Sequence, residues 1–229
     1  MSDAADIQKD IKQRSITRLC HFMQSRKLSH VLTQTQALLP TQQLRDRHPD
    51  VLDVTDKERY DGHLNHVCCS IQYPNSWYFR KIHDRDPLFT DWVIVCLNPA
   101  LVWERETLFS PRNAAAHGGA LLQPGWQGWQ ALFASQVTGA HVQTRTRTAR
   151  MLNCCPTDDQ AEVLVPDAIP QHYITAVVVK TAQQAHKEQT RLAVLGVQPF
   201  FSWIVAPALF TTDWSNIVRQ GQRPVEKKL

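Results

Sequence analysis

Trp92-Val93-Ile94-Val95-Cys96-Leu97 is the stretch from which the fold can be read: six apolar residues, β-branched at its centre and uncharged, closed by Asn98-Pro99. A run this short and this rich in β-branched side chains reads as a buried strand rather than a helix. Working outward, His66–Tyr73 gives a second strand stopped by Pro74, and Ile16–Phe22 a third. On the C-terminal side come Ala161–Val165, closed by Pro166, then Ile174–Val179 and Phe200–Val205. Helical spacing appears in Ala4–Arg14 and in Lys27–Leu39, through Leu28, Val31, Leu32 and Leu38. It recurs in Trp126, Trp129, Leu132 and Phe133, and in Thr181–Leu195, with Leu192 and Leu195 facing inward. Strands slightly outnumber helices and are joined by long loops, which predicts an α+β fold. The expected organisation is a single domain over residues 1–229, with a leading helix within 1–14 and a frayed basic tail over Arg219–Leu229.

The 229 residues are 43% hydrophobic and 20% charged, a composition that excludes a disordered chain. The net charge of +4 gives only a weak pull toward an anionic partner. Met1 to Arg14 is too polar for a signal peptide, and no apolar run approaches the ~18 residues of a membrane span. Six cysteines include two vicinal pairs, Cys68-Cys69 and Cys154-Cys155, and no CxxC. That pattern suits neither a disulfide framework nor a zinc site, so reduced thiols, no metal and a cytoplasmic location are expected.

Three features carry chemistry. Gln160-Ala161-Glu162 opens a strand after a long polar loop, and residues two apart on a strand face the same side. A carboxylate there can hold a sugar hydroxyl and steady positive charge at an anomeric carbon, while the amide reads an incoming nucleophile. A solvated strand end explains the same tripeptide. His21 ends the first strand before a helix, where its imidazole could bond a ribose hydroxyl or simply be a satisfied structural group. Gly139–Asp158 interleaves Arg145, Arg147 and Arg150 with Thr144, Thr146 and Thr148. Such a loop suits phosphates along a flexible strand, or is merely solvated; its position directly before Glu162 favours the former. The polar stretch Leu44–Leu64 is long for a structureless connection and is expected to be functional.

Four stretches in order, 16–22, 68–81, 110–116 and 156–166, resemble the DarT family of DNA ADP-ribosyltransferase toxins. The similarity runs from about Ile16 to Pro224 and is closest to the branch that modifies guanine rather than thymine. The resemblance implies two small sheets clamping NAD between them. By position, Glu162 matches the catalytic glutamate, Gln160 the residue two before it, and His21 the histidine on the nicotinamide-side ribose. Arg59 falls where the family's catalytic arginine sits, and Ser70 and Tyr73 lie on the strand lining the nicotinamide pocket. Residues 139–158 correspond to the loop that feels for the nucleic-acid target, with Arg112 and Asn113 as further DNA contacts and Trp77 or Tyr78 as stacking platforms. Met23 departs from the family's usual threonine.

The reaction that the resemblance implies moves ADP-ribose from NAD to a base, guanine in the branch it is closest to, of single-stranded or flipped-out DNA. An antitoxin ADP-ribose hydrolase, of macrodomain or NADAR type, is the implied partner. The alternatives are an RNA- or protein-directed transferase, a non-catalytic nucleic-acid-binding module and a plain NAD glycohydrolase.

Overall fold

The computed structural model describes residues 2–49, 59–84, 90–138 and 144–229. The first helix, α1 (Asp3–Arg14), carries Asp3 and Asp6 in its first turn and Lys12 and Arg14 in its last, the arrangement its dipole favours. It is the leading helix expected within 1–14, and its Ile7 and Ile11 are buried in the main core. Next come β1 (Leu19–Gln24), α2 (Arg26–Thr33), β2 (Ala37–Leu38) and α3 (Thr41–Arg47). They are followed by β3 (His66–Ile71), α4 (Ser76–His83), β4 (Trp92–Leu97), α5 (Leu101–Glu104), β5 (Leu108–Ser110) and β6 (Gln123–Pro124). The second half holds α6 (Gly125–Ala131), β7 (Gln136–Thr138), β8 (Thr144–Thr146), β9 (Glu162–Pro166) and β10 (Ile169–Pro170). It closes with β11 (Ile174–Val179), α7 (Ala182–Val194), β12 (Ser202–Val205), α8 (Asp213–Arg219) and β13 (Lys227–Lys228).

Nine strands join in the order β13-β12-β11-β4-β1-β3-β9-β5-β6. Every neighbouring pair is antiparallel except β11 and β12, which the α7 crossover makes parallel. Strand β4 lies between β11 and β1, and all six of its residues are buried, which is why it reads as an unbroken apolar run. The seam between β1 and β3 shapes the molecule. Strand β1 pairs with β4 along its whole length but with β3 only through Leu19↔Ile71 and Cys20↔Ser70. Residues His66 to Cys69 of β3 pair instead with β9. The two expected sheets are therefore present, joined along two residue pairs and parted beyond them.

Several elements differ from expectation, each for a local reason. The helix predicted over 27–39 ends at Thr33, because Gln36 takes a left-handed backbone (φ 51°) and Leu38 joins β2. The polar stretch 44–64 includes the end of α3, while its residues 50–58 fall outside those described. Helix α4 was not anticipated; Asn75 starts it by accepting from the Tyr78 N–H (3.0 Å), and Phe79 and Ile82 bury its inner face. The tail is not frayed. Helix α8 buries Trp214 and Val218, β13 pairs with β12, and Glu226 bonds Arg18 through both carboxylate oxygens (2.5 and 2.8 Å). All six cysteines are free and five are buried. Among the described residues, no helix is long and apolar enough to cross a membrane.

Candidate active site

Where β1 and β3 part, a cavity of about 200 Å³ opens between the two halves of the sheet. His21 and Lys27 reach it from one half, Ser70, Asn75 and Glu162 from the other, and Arg59 borders it. Glu162 is the first residue of β9, paired across to Ser110 on β5. Its side chain is 9% exposed and held at both oxygens. The Asn75 amide donates to Oε1 (3.2 Å) and the Ala114 backbone N–H to Oε2 (2.9 Å). Burial pushes the carboxyl up to about 7, against the pull of those two hydrogen bonds. A carboxylate poised there, with spare lone pairs, can accept a sugar hydroxyl and take a proton near neutral pH.

His21 spans the gap beyond the last β1–β3 pair, its Nδ1 lying 2.8 Å from the Cys68 carbonyl oxygen. A carbonyl only accepts, so Nδ1 carries the proton and, in the neutral ring, Nε2 is the acceptor. Burial lowers the His21 pKa, which keeps the ring neutral at pH 7. Ser70 also lines the cavity, its Oγ accepting from the Asn75 N–H (3.1 Å). Met23, the departure from the family pattern, is buried and forms part of the wall.

Arg59 is 7% exposed and sits at φ 37°, a left-handed backbone that costs a non-glycine residue energy. Asp61 grips its guanidinium (Nε to Oδ2 3.0 Å, Nη2 to Oδ1 3.1 Å), and Nη1 donates to Thr41 Oγ1 and the His66 carbonyl (3.1 and 3.3 Å). Nη2 also donates to the His63 carbonyl. Arg59 thus borders the cavity with its donors committed to the protein.

Other residues singled out from the sequence lie elsewhere. Tyr73 does not line the cavity: it is buried against Trp214 (ring centres 5.4 Å apart), with the Arg18 guanidinium 5.5 Å away. Gln160 is not on a strand, since β9 begins two residues later, and its N–H donates to Asp158 Oδ1 in a turn (2.9 Å). The alternation argument linking Gln160 to Glu162 therefore fails. Of the 139–158 segment, residues 139–143 lie outside those described, and the rest contributes β8, paired with β7. Arg147 is an internal strut rather than a free cation, donating to the carbonyls of Cys155 (2.7 Å), Asn153 (3.1 Å) and Leu152 (3.2 Å). Arg145 is half-buried and Arg150 exposed. Arg112 is buried and donates to the Thr138 carbonyl (3.1 Å), tying its loop to β7. Asn113 closes its own turn through the Ala115 N–H (3.0 Å). Tyr78 lines the cavity; Trp77 is half-buried with Arg80 over its ring (5.3 Å).

Sequence reasoning missed Asn75, which lies inside the resembling stretch 68–81. It caps α4 with one atom and holds Glu162 with another, and an Asn before a helical run was its only sequence signal.

The profile of the family described as "DarT: ssDNA thymidine ADP-ribosyltransferase" matches residues 20–211. The chain belongs to the DarT family. As a member it is an NAD-dependent DNA ADP-ribosyltransferase. Solved DarT structures share the fold. Thermus sp. 2.9 DarT in complex with ADP-ribosylated ssDNA is 15% identical with a TM-score of 0.60, the match covering 86% of this chain and 97% of that one. Thermosipho africanus DarTG in complex with ADP-ribose is 14% identical with a TM-score of 0.59, and the match covers 85% of this chain and 51% of that one. Thermus sp. 2.9 DarT in complex with NAD+ is 14% identical with a TM-score of 0.56, over 85% and 97% of the two chains. No curated protein sequence matches the chain at a significant level.

Proposed function

We propose that the protein seats NAD in the cavity between the half-sheets and uses Glu162 to transfer ADP-ribose to a base of single-stranded DNA. One observation carries this reading: a buried carboxyl, fixed at both oxygens and titrating near 7, at the rim of a cavity that His21 enters from the other half-sheet. The bond from the ribose anomeric carbon to nicotinamide breaks, and its electron pair leaves with nicotinamide. The cationic character that develops on the sugar is the charge a neighbouring carboxylate steadies. A base nitrogen supplies the new bond to that carbon, and its proton passes to Glu162. Neutral His21 accepts a ribose hydroxyl at Nε2. Arg59, ion-paired with Asp61, fixes the loop that borders the cavity.

The four resembling stretches support guanine as the acceptor base, whereas the family's description names thymidine, which favours thymine as the second reading. Purified protein is incubated with labelled NAD and oligonucleotides that each contain one type of reactive base. Label on guanine-containing strands, confirmed by mass spectrometry, supports the first reading; label on thymine alone replaces it with the second. Glu162→Ala is expected to lose transfer while remaining folded, and equal labelling by that variant would falsify the role of Glu162. An ADP-ribose hydrolase of macrodomain or NADAR type is the antidote this activity requires. Co-expressing each type and scoring growth identifies it.

A further inference from the structure

A second cavity, of about 210 Å³, lies beyond Trp92, whose side chain also walls the first. We infer that it is a nucleotide subsite, holding one phosphate and one base of the DNA strand next to the base that is modified. This rests on the function proposed above. Two cationic side chains line the second cavity, Arg80 from the last turn of α4 and Lys180 just after β11, together with the His83 imidazole. Among the described residues no carboxylate lines it. Asp84 faces solvent beside His83 (3.6 Å), and Asp91 is paired with Lys187 (2.5 Å). The Arg80 guanidinium lies over the Trp77 ring (5.3 Å). The wall opposite is aromatic. Phe79 and Trp92 are buried edge to face (5.4 Å), and half-buried Phe210 stands edge-on to Phe79 (5.9 Å).

A site that couples positive charge to aromatic carbon suits a phosphate joined to a planar base, the repeating unit of a single strand. The shared Trp92 puts it beside the cavity proposed for NAD, at the Gln24 end of β1. Phe79, Trp92 and Ile82 form a small buried cluster of their own, with Tyr78 packed against it and Phe22 and Phe210 bridging it to the main core. Its polar rim is unexplained by packing.

Lys180 is exposed, and only its backbone N–H takes part in local structure, donating to Gln184 Oε1, so replacing its side chain leaves the fold intact. The test compares wild type with Lys180→Ala, His83→Ala and the remote control Lys9→Ala. Binding of a fluorescent single-stranded 10-mer, without NAD, is followed by polarisation across a salt series. Steady-state transfer then gives KM for NAD and for DNA. The expected result for Lys180→Ala is DNA affinity weaker by about threefold to tenfold and a salt slope shallower by about 0.7, the loss of one phosphate contact to a single strand. KM for NAD stays unchanged and Lys9→Ala behaves as wild type. Unchanged DNA affinity in both Lys180→Ala and His83→Ala overturns the inference. So does a rise in KM for NAD, which would assign the cavity to the dinucleotide. If wild type binds the 10-mer through Lys180 yet transfers nothing, only the proposed activity has failed.

Discussion

At the scale of single residues, the site trades stability for chemistry at Glu162. Its folded pKa lies near 7 against an ordinary 4.5, so between those values the folded state holds a proton that the unfolded chain has released. The contribution is fully present below pH 4.5 and is lost as pH rises through 7, a penalty of about 3 kcal/mol at alkaline pH. Glu162→Gln removes the ionisation. It is expected to melt higher than wild type at pH 8, with a smaller difference at pH 5, while transfer is lost; identical melts at both pH values would count against the buried charge. Asn75 tests the same carboxyl through its partner. Asn75→Ala deletes a donor to the ionised form, so the acid limb of the kcat/KM profile should move to higher pH as kcat falls about tenfold. Loss of the α4 cap should also cost about 1 kcal/mol, read in a urea melt. A purely structural Asn75 would leave the pH profile where it was.

At the scale of elements, the arginines of the 144–150 segment divide by what they touch. Arg147 binds three carbonyls and lies against the Phe133 ring (5.7 Å), so Arg147→Ala should cost about 1 to 3 kcal/mol in a denaturant melt. Arg150→Ala, at an exposed position, should leave the melt alone and reduce the salt dependence of oligonucleotide binding. The reverse pattern would exchange their roles. From sequence the three arginines looked alike, because composition reports charge and not the distance to a carbonyl 5 to 8 residues on. Strands β4, β11 and β12 were legible because burial on both faces, or a parallel crossover, writes continuous apolar runs. Helices α4 and α8 were not. Ser76-Trp77-Tyr78 and Asp213-Trp214-Ser215 mix aromatic and polar residues, and tertiary packing of Phe79, Ile82 and Trp214 selects the helix. Glu162 and His21 were legible as types and by resemblance. Gln160 misled because the strand begins two residues later, at Glu162, which leaves Gln160 in a turn.

At the scale of the molecule, the strand pairing that joins the two half-sheets among the described residues runs through Leu19↔Ile71 and Cys20↔Ser70, and the cavity lies in the fork beyond. A ligand that touches both halves stabilises the joined state by RT ln(1 + [L]/Kd). Saturating NAD should therefore slow amide exchange in peptides covering 19–24 and 66–71, with little change in β11 and β12, which lie away from the fork. Uniform protection, or none, would mean that the dinucleotide does not bridge the halves. Gly119 joins a second pair of parts. It sits at φ 85°, and a Cβ there would lie 2.7 Å from the Asp61 carbonyl, so the loop after Asn113 presses on the loop that carries Arg59. Gly119→Ala should cost about 2 kcal/mol and raise KM for NAD, because Asp61 cannot shift without its guanidinium partner.

The fork also leaves β1 one rung short. Among the described residues, His21 to Gln24 pair with β4 on one flank, and the other flank borders the cavity. A bare peptide edge welcomes anything that presents an amide's donor and acceptor side by side. Flat heterocycles bearing a carboxamide could imitate the missing rung, and such compounds would compete for the cleft through main chain that no side-chain replacement can alter. Proline at one of these four positions would remove a main-chain donor, and would also break the strand that holds His21.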